Sequence, residues 1–510
     1  MKLRTSTRLL ATASGIALCA TGCGGKRGTI NLDIVVSQTL DPFYHAALAQ
    51  FTIDGVTKTA AVTGSHFTFS FDEKPPKVSE PLIVEALDST GTVLGYGQTP
   101  PISLTAGGQN DSYGVWVGGP GTMNLSASGA VLPYARTELG AFSAVGLGAM
   151  FAGGRGPTSA DPAATAPVAD CALYDVFTNT VIAPNSMTSA RAGGSGIASA
   201  PQGVIFGGLT TDGSAIATAE IFSPISSSGL GAWTPVPATG NAPAPAAFAV
   251  GVLLQSGTQL VAGGEDGAGK AVTSSELVTT GAAVSITANN AMQSARYHHC
   301  AAAAKFPDGD GALFVGGITA GSQEGIAEKF VGGNFTTVAL LDLPNLWDAT
   351  ATSINTSTGV LVIGGTIPDP VTGVRTATSN VYYIQTYPTT SNPVVLTEVS
   401  AAISARAGHT ATMVGNDLLL CGGVGADGKL VTACDILTIT GNIVTVKAHV
   451  NLAAPRRNHV ATELQNGLVL IVGGVNDQGA PLGAIEIYTP DSDEQAVINV
   501  ANGTAAASTH

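Results

Sequence analysis

Charged and aromatic side chains are scarce in this chain. Only 11% of its 510 residues are charged and 5% are aromatic, and it has six cysteines and three tryptophans. Lys and Arg number 21 against 35 Asp and Glu, and no stretch concentrates basic residues. This charge pattern argues against binding to nucleic acid and against electrostatic docking on anionic lipid. Beyond the N-terminus, no apolar run reaches the roughly 20 residues that a membrane-spanning helix needs.

Small and turn-forming residues are abundant instead. The chain has 65 glycines and 27 prolines. That composition is typical of short strands and turns rather than of amphipathic helices, so we expect an all-β protein. The chain is longer than one ordinary hydrophobic core can organise, so we predict two domains.

The N-terminus has the pattern of an export signal. The first eight residues carry three cations and no acid, and an apolar run from Leu9 to Ala20 follows, the length of a signal core. The next residues, Thr21-Gly22-Cys23, complete a lipobox-like ending in which small residues precede the cysteine that becomes acylated. We therefore predict a signal peptide over residues 1–22, lipidation of Cys23 and a tether over 23–27. The alternative is an ordinary secretory signal with an incidental cysteine.

The predicted lipid is the only expected contact with a membrane. Gly24 follows the cysteine instead of the aspartate that retains some lipoproteins at the inner membrane, which favours a lipid-anchored cell-envelope protein of the outer membrane. Removing the three signal cations leaves a mature chain with a net charge of −17.

Residues 28–118 alternate apolar and polar side chains with the period of half-buried strands. Ile30, Leu32 and Ile34 form one such run, and Phe67, Phe69 and Phe71 form another. The pattern predicts an N-terminal antiparallel β-sandwich, immunoglobulin-like or transthyretin-like, that acts as a spacer.

After the glycine-rich residues 118–121, a short apolar strand that ends in two glycines recurs seven times. The pairs are Gly153 and Gly154, Gly207 and Gly208, Gly263 and Gly264, Gly316 and Gly317, Gly364 and Gly365, Gly422 and Gly423, and Gly473 and Gly474. An arginine stands 16 to 20 residues before five of the pairs, and a histidine three residues after it in three copies. An acidic residue stands 12 or 13 residues after most pairs, as in Glu220 and Glu486.

This pattern resembles the kelch repeat over residues 122–490. The resemblance implies a seven-bladed β-propeller, and we place it at residues 119–498 with a flexible tail over 499–510. Residues 122–132 precede the first inner strand and are placed to complete the last blade. We expect small residues such as Ala301 to Ala304 on the crowded inner strands.

The repeated charges are expected to pair near each blade core. The predicted pairs are Arg191 with Glu220, Arg296 with Glu328, Arg406 with Asp435, and Arg456 with Glu486. In the fifth repeat we place Asp348 at the arginine position and Asn380 at the acid position.

Four cysteines remain after the signal and the lipidated residue. Cys421 and Cys434 fall on adjacent strands of one predicted hairpin, and their spacing permits a disulfide there. Cys171 and Cys300 fall in different repeats and are expected to be separate buried thiols.

No catalytic set or metal site stands out in the sequence. Copper radical oxidases resembling galactose oxidase also have a sandwich before seven kelch blades, and Tyr297-His298-His299 is similar to their tyrosine-histidine pair. Its register is shifted by one residue, so we assign no catalytic or metal-binding residue and no cofactor.

The sequence therefore favours a non-enzymatic propeller that binds a protein or glycan partner, of unknown identity, through the loops around its axis. The alternative is a carbohydrate-active or oxidative enzyme that uses the same axial mouth, similar to a copper radical oxidase or to a sialic-acid mutarotase.

Overall fold

The computed structural model describes residues 27–501 with gaps at 54, 73–79, 103–109, 128, 145, 158–164, 200–201, 225–230, 242, 280–283, 320–325, 341–342, 370, 388–394 and 400–401. The predicted signal peptide, Cys23 and residues 502–510 lie outside these residues. The prediction of an all-β protein is confirmed, because the described chain forms strands, one 3₁₀ turn at Pro42–Tyr44 and one α-helix. Among the described residues, no helix has the length and apolarity to cross a membrane.

The N-terminal strands form two sheets that share one apolar core. They are β1 (Arg27–Val35), β2 (Leu48–Ile53), β3 (Val56–Ala61), β4 (His66–Asp72), β5 (Ile83–Leu87), β6 (Val93–Gln98) and β7 (Asn110–Trp116). One sheet has the order β4-β1-β7 and the other β3-β2-β5-β6. Ile30, Leu32 and Ile34 of the first sheet pack against Phe51 and Val84 of the second. The β1–β7 pairing is parallel, so the prediction of a purely antiparallel sandwich was wrong at this pair.

The described residues after these two sheets form seven four-stranded antiparallel sheets, numbered here 1 to 7 in chain order, and three short two-stranded pairs. After β8 (Thr122–Leu125), sheets 1 to 3 follow. Sheet 1 has β9 (Gly140–Ala144), β10 (Gly148–Ala152), β13 (Cys171–Asp175) and β14 (Thr180–Ile182), with a side hairpin of β11 (Arg155–Gly156) and β12 (Ala166–Pro167). Sheet 2 has β15 (Ser195–Ser199), β16 (Gln202–Phe206), β17 (Ala219–Ser223) and β18 (Ala232–Pro235). Sheet 3 has β19 (Val250–Leu253), β20 (Gln259–Ala262), β21 (Ser275–Thr279) and β22 (Ser285–Ala288).

Sheets 4 and 5 each carry an additional short strand pair. Sheet 4 has β24 (Cys300–Phe306), β25 (Gly309–Val315), β27 (Ile326–Val331) and β28 (Asn334–Ala339), beside β23 (Arg296–Tyr297) and β26 (Ile318–Thr319). Sheet 5 has β29 (Thr350–Ile354), β30 (Gly359–Ile363), β33 (Val381–Gln385) and β34 (Val395–Val399), beside β31 (Thr366–Pro368) and β32 (Arg375–Ala377).

The last two sheets complete the series. Sheet 6 has β35 (Thr410–Val414), β36 (Asp417–Cys421), β37 (Ala433–Thr440) and β38 (Ile443–Asn451). Sheet 7 has β39 (Val460–Glu463), β40 (Val469–Val472), β41 (Ile485–Thr489) and, as its fourth strand, β8. The helix α1 (Ser492–Ala501) follows.

Contacts between the sheets close on themselves. The first strand of each sheet contacts the first strand of the next, and the first strand of sheet 7 contacts that of sheet 1. The strand β8 pairs with β41 through Thr122 to Leu125, which confirms the prediction that residues before the first sheet complete the last one. Both ends of the series are thereby held together without a covalent bond.

The glycine pairs make the joints between neighbouring sheets. The first glycine of every pair has φ between +62° and +70°, a conformation that favours glycine. A Cβ there would lie only 2.1–2.8 Å from a carbonyl oxygen of the loop that precedes the next sheet. The pattern runs through all seven pairs, and Gly473 of sheet 7 faces the Arg136 carbonyl of sheet 1. Glycine is therefore required where the edge of one sheet approaches the backbone of its neighbour.

The four predicted arginine–acid pairs are confirmed as buried ion pairs within sheets 2, 4, 6 and 7. In sheets 2, 4 and 7 the arginine Nη2 lies 2.7–2.9 Å from a glutamate oxygen, and in every pair both side chains are at most 1% exposed. The arginines and the three glutamates also bond to backbone groups, whereas Asp435 has His449 Nδ1 as its second partner at 2.7 Å, and these bonds offset the cost of burying the charges.

The assignments in the fifth repeat were wrong. Leu346, not Asp348, occupies the arginine position, because its carbonyl accepts the N–H of Gly317 as the arginine carbonyls do in other sheets. Tyr382, not Asn380, occupies the acid position, because it pairs with Val362 as Glu220 pairs with Ile205 in sheet 2. The side chain of Asn380 donates to the Tyr382 hydroxyl. This sheet lacks the buried ion pair and has an apolar and an aromatic side chain in its place.

Cys421 and Cys434 lie opposite each other on β36 and β37 and are joined by a disulfide. Cys171 and Cys300 are buried free thiols. The helix α1 includes residues 499–501, which were predicted to belong to a flexible tail, and the Asn499 side chain is only 4% exposed. The ordered chain therefore continues past the expected start of the tail.

Candidate functional site

Seven equivalent loops meet where the first strands of the sheets begin. Each loop has one residue in the left-handed region, with φ between +53° and +67°. These central loop residues are Glu138, Gly193, Phe248, His298, Asp348, Gly408 and Asn458. Five of the links between neighbours are backbone N–H to carbonyl hydrogen bonds of 2.8–3.1 Å, such as Gly193 to Glu138 and Asn458 to Gly408. The loops therefore hold one another in a fixed arrangement.

Five of the central loop residues are not glycine, although this backbone conformation is costly for other residues, and most of all for a bulky side chain such as that of Phe248. Such outliers often mark positions that a protein uses for function. The side chains lean over the neighbouring loop: Phe248 covers Gly193 and Asn458 covers Gly408. The arrangement presents aromatic, acidic and amide groups on one rigid base.

Two ion pairs lie on this surface. His298 Nδ1 is 2.5 Å from Asp348 Oδ1, and Arg155 Nε is 3.1 Å from Glu138 Oε2. The hydrogen bond that the Asp348 carboxylate accepts from His298 raises the pKa of this histidine and so favours its charged form. Burial raises the pKa of the nearby Glu265 carboxyl, an effect that the charge of His298 partly offsets. Charges of both signs therefore meet here, although the chain as a whole is strongly acidic.

Aromatic side chains lie beside these charges. The rings of Tyr297 and His298 are 4.9 Å apart, and the Arg375 guanidinium stacks 3.7 Å from the centre of the Trp347 ring. Arg375 comes from the β31–β32 hairpin, whose tip exposes 90% of Val371. Tyr297, Trp347 and Phe248 are half-buried, so each ring keeps part of its surface accessible. We define the axial surface as the central loop residues together with Arg155, Glu265, Tyr297, Trp347 and Arg375.

The three repeated histidines do not meet on the axial surface. His299, His409 and His459 are each 6% exposed, and each ring lies against the first glycine of the preceding sheet's pair. The Nε2 atoms of His409 and His459 lie 3.0 and 2.9 Å from the hydroxyls of Thr350 and Thr410 on the neighbouring sheet. In the parts of the chain that the structure describes, no three metal-binding side chains come together. These histidines bridge adjacent sheets.

His299 lacks the hydroxyl partner that the other two histidines have. The residue equivalent to Thr350 and Thr410 in sheet 3 is Val250, which offers no hydrogen bond. Both ring nitrogens are buried without a partner of ordinary geometry, and the Ala262 carbonyl is the polar group that faces the ring. Burial lowers the pKa of His299 to about 3, so the ring is neutral.

The residues Tyr297, His298 and His299, which resemble the copper-binding stretch of galactose oxidase, separate in space. Tyr297 and His298 lie on the axial surface, whereas His299 is buried between sheets. The structure thus gives these consecutive residues different environments.

Sequence reasoning missed most of the axial surface. Phe248 and Asp348 have no repeated residue type, because the central loop position varies from copy to copy. Glu265 lies elsewhere in its repeat, directly after Gly264. The arginine-to-glycine distance also varies with hairpin length, which is why Asp348 was assigned to the wrong position. A usable signal was present for five of the seven, because the residue two places after each repeated arginine is a central loop residue. Phe248 and Asp348 follow Ala246 and Leu346 instead, so this signal does not mark them.

A cavity lies beside α1, at the end of the inner strands opposite to the axial surface. It has a volume of about 430 Å³, and Ser143, Met413, Glu463 and Val497 contribute to its lining. Burial raises the pKa of Glu463 to about 7. The helix therefore partly covers the end of the assembly that is opposite to the axial surface.

No family model matches the chain, and no curated protein is significantly similar to it.

Proposed function

We propose that the seven sheets are the blades of a kelch-type seven-bladed β-propeller, spanning residues 119–498 and preceded by a β-sandwich domain over residues 28–118. The support is the repeated order of four strands, the cyclic contacts between first strands and the closure of sheet 7 by β8. A sandwich and a propeller of this kind would be carried outside the cytoplasm by the signal over residues 1–22 and anchored in the outer membrane by the lipid on Cys23.

The propeller's function, in this proposal, is to bind a glycan at the axial surface. The proposal rests on the seven central loop positions, four of which hold Phe248, His298, Asp348 and Asn458 in strained but fixed backbone conformations. A sugar offers an apolar ring face and several hydroxyls, so it is recognised by partly exposed aromatic rings next to carboxylates, imidazoles and amides. Loops on a rigid scaffold supply such side chains without cost to the core.

The binding proposal is tested with the purified mature protein on a glycan array, followed by titration of the best ligand. Phe248→Ala and Asp348→Asn should each weaken binding at least tenfold, because each removes a contact group from a fixed position. The control is Tyr44→Ala, which removes an aromatic ring that is 80% exposed far from the axial surface. Equal losses in the control would contradict binding at the axial surface. The absence of any glycan ligand, together with capture of a protein by the axial surface, would replace the glycan by a protein partner.

The enzyme alternative makes a different prediction for the same sample. Stoichiometric copper or another metal in the purified protein, with oxidation or isomerisation of a bound sugar, would favour an enzyme at the axial mouth.

The lipid anchor is tested separately. Cys23→Ser should move the protein from the detergent phase to the aqueous phase, or leave an uncleaved precursor, because the acylated residue is lost. Unchanged detergent partitioning would contradict the anchor while leaving the binding proposal intact.

A further inference from the structure

The buried ion pairs of sheets 2, 4 and 7 share one geometry. The glutamate accepts Nη2 of the arginine at 2.7–2.9 Å and also accepts two consecutive backbone N–H groups at 2.6–3.1 Å. Those N–H groups belong to the residues three and two positions before the arginine. Each of these sheets thus contains a preformed carboxylate site that its own glutamate fills.

Sheet 1 has the arginine but not the glutamate. Arg136 is 4% exposed, and the position equivalent to Glu220 is Ala172, which pairs with Phe151 as Glu220 pairs with Ile205. The methyl group of Ala172 cannot reach the arginine. The position that holds a carboxylate in five other sheets is therefore left without one.

A cavity of about 250 Å³ occupies this place. Tyr134, Arg136, Phe151, Ala172 and Asp170 contribute to its lining, together with the apolar side chains of Leu132, Pro133, Leu139, Ala183 and Pro184. Its apolar walls and its single buried guanidinium are the combination that selects a small molecule with one charged end. Arg136 Nη2 lies 3.3 Å from Asp170 Oδ2, whose side chain is 49% exposed. This longer, half-solvated contact contrasts with the short buried pairs of the other sheets.

We propose that this cavity binds a small carboxylic acid with a short apolar body, whose carboxylate takes the position that Glu220, Glu328 and Glu486 occupy in their own sheets. The guanidinium of Arg136 pairs with the carboxylate, as arginine does wherever planar anions are recognised. The backbone N–H of Tyr134 stands two residues before Arg136 and supplies the second donor. Pro133 has no N–H, so this site offers one backbone donor fewer than its counterparts.

Substitution of Asp170 distinguishes a ligand that binds through a carboxylate from one that binds through a cationic group. Its carboxylate competes with the ligand for Arg136, so Asp170→Asn should tighten binding several-fold. A ligand that bound through a cationic group would instead use Asp170, and the same substitution would weaken it. The site is independent of the axial surface, so its failure would leave the proposed glycan binding untouched.

The test uses the full mature chain and two matched pairs of probes, butyrate with butyramide and propionate with propionamide, followed by ligand-observed NMR at constant ionic strength. We expect saturable binding of the acids with Kd on the order of 1 mM, and no saturable binding of the amides. Arg136→Gln should reduce the affinity at least tenfold. Equal binding of acid and amide, or weaker binding in Asp170→Asn, overturns the proposal.

A second variant keeps the test valid if Arg136→Gln does not fold. Ala172→Glu restores the chain's own carboxylate, so it should abolish butyrate binding and raise the melting temperature. Ala172→Gln has the same size without the charge, so it should block the cavity with a smaller rise in melting temperature. If Ala172→Glu still binds butyrate with unchanged affinity, the carboxylate position has been misplaced and the proposal is wrong.

Discussion

Glu276 in sheet 3 is the counterpart of the missing glutamate in sheet 1: a buried acid without its arginine. Ala246 stands at the arginine position, and Glu276 is 1% exposed with a single backbone donor from Ala244 at 3.1 Å. Without a cation, burial raises its pKa from 4.5 to about 7. One residue change in each of two sheets thus separates the two halves of a pair that other sheets keep together.

Glu276→Gln should remove a pH dependence of stability. Because folding raises the pKa, the native state holds a proton that the unfolded chain releases. The contribution of this group is full below pH 4.5 and is lost as pH rises through about 7. The free energy of unfolding falls by about 3 kcal/mol over this range, and Glu276→Gln should not show this fall because glutamine does not titrate. Urea unfolding of both proteins between pH 4.5 and 8 measures the difference, and Ala246→Arg should also suppress the loss by supplying the cation. Parallel stability curves for wild type and Glu276→Gln would contradict the assignment.

Val250→Thr should stabilise the protein by giving His299 the hydroxyl that His409 and His459 already have. A satisfied hydrogen bond contributes about 1 kcal/mol, and the ring nitrogens of His299 are buried without one. The reciprocal control is Thr350→Val, which should cost about 1–3 kcal/mol by leaving His409 in the same state. Thermal unfolding of the two variants compares them directly. A lower melting temperature for Val250→Thr would mean that His299 needs no partner.

Within one sheet, the arginine–glutamate pair ties the loop before the first strand to the third strand. Arg296 Nη2 donates to Glu328, Nη1 donates to the Gly316 carbonyl, and Glu328 accepts two loop N–H groups. The pair thus fixes the position of a loop segment that contains little regular secondary structure. A loop fixed in this way can hold Tyr297 and His298 on the axial surface.

Arg296→Met should therefore cost about 3–5 kcal/mol, because it leaves the carboxylate of Glu328 buried without a cation. The double variant Arg296→Met, Glu328→Leu should lose less, since no uncompensated charge remains. Chemical denaturation of the three proteins gives the two differences. If the double variant were the less stable of the two, the loop contacts of Glu328 would outweigh the buried charge.

The stability of the whole assembly depends on the strand borrowed from before sheet 1. Four residues of β8 pair with β41, and Trp116 just before it donates from Nε1 to the Thr489 hydroxyl at 3.1 Å. Without β8, sheet 7 would end on a bare strand edge and the contact between the first and last sheets would lose its support.

A pair of truncations tests this closure. Residues 119–510 keep β8, whereas residues 133–510 lack it, and both lack the N-terminal sheets. We expect the longer protein to unfold cooperatively at a clearly higher temperature, and removal of residues 502–510 from either one to have little effect. Differential scanning calorimetry measures all four proteins. Equal melting temperatures with and without β8 would show that the assembly does not need the strand.

The sequence by itself determined the features that repeat. The glycine pairs recur in all seven sheets, because each sheet must bring its edge close to the backbone of its neighbour, and the arginine–acid pairs recur in four. The closing strand was predicted from its place before the first inner strand. A constraint met seven times leaves a pattern that one sequence displays without any alignment. The spacing of Cys421 and Cys434 permitted a disulfide without requiring it, and the structure shows that the bond forms.

Only the tertiary structure decided what does not repeat. The positions of Leu346 and Asp348 depended on hairpin length, which spacing alone cannot fix, and the axial surface combines residues from loops tens to hundreds of residues apart. The cavity beside Arg136 arises because Ala172 is small where other sheets have a glutamate, and no local pattern marks an absence. Packing across sheets decides such features, because each depends on which side chain a distant part of the chain provides.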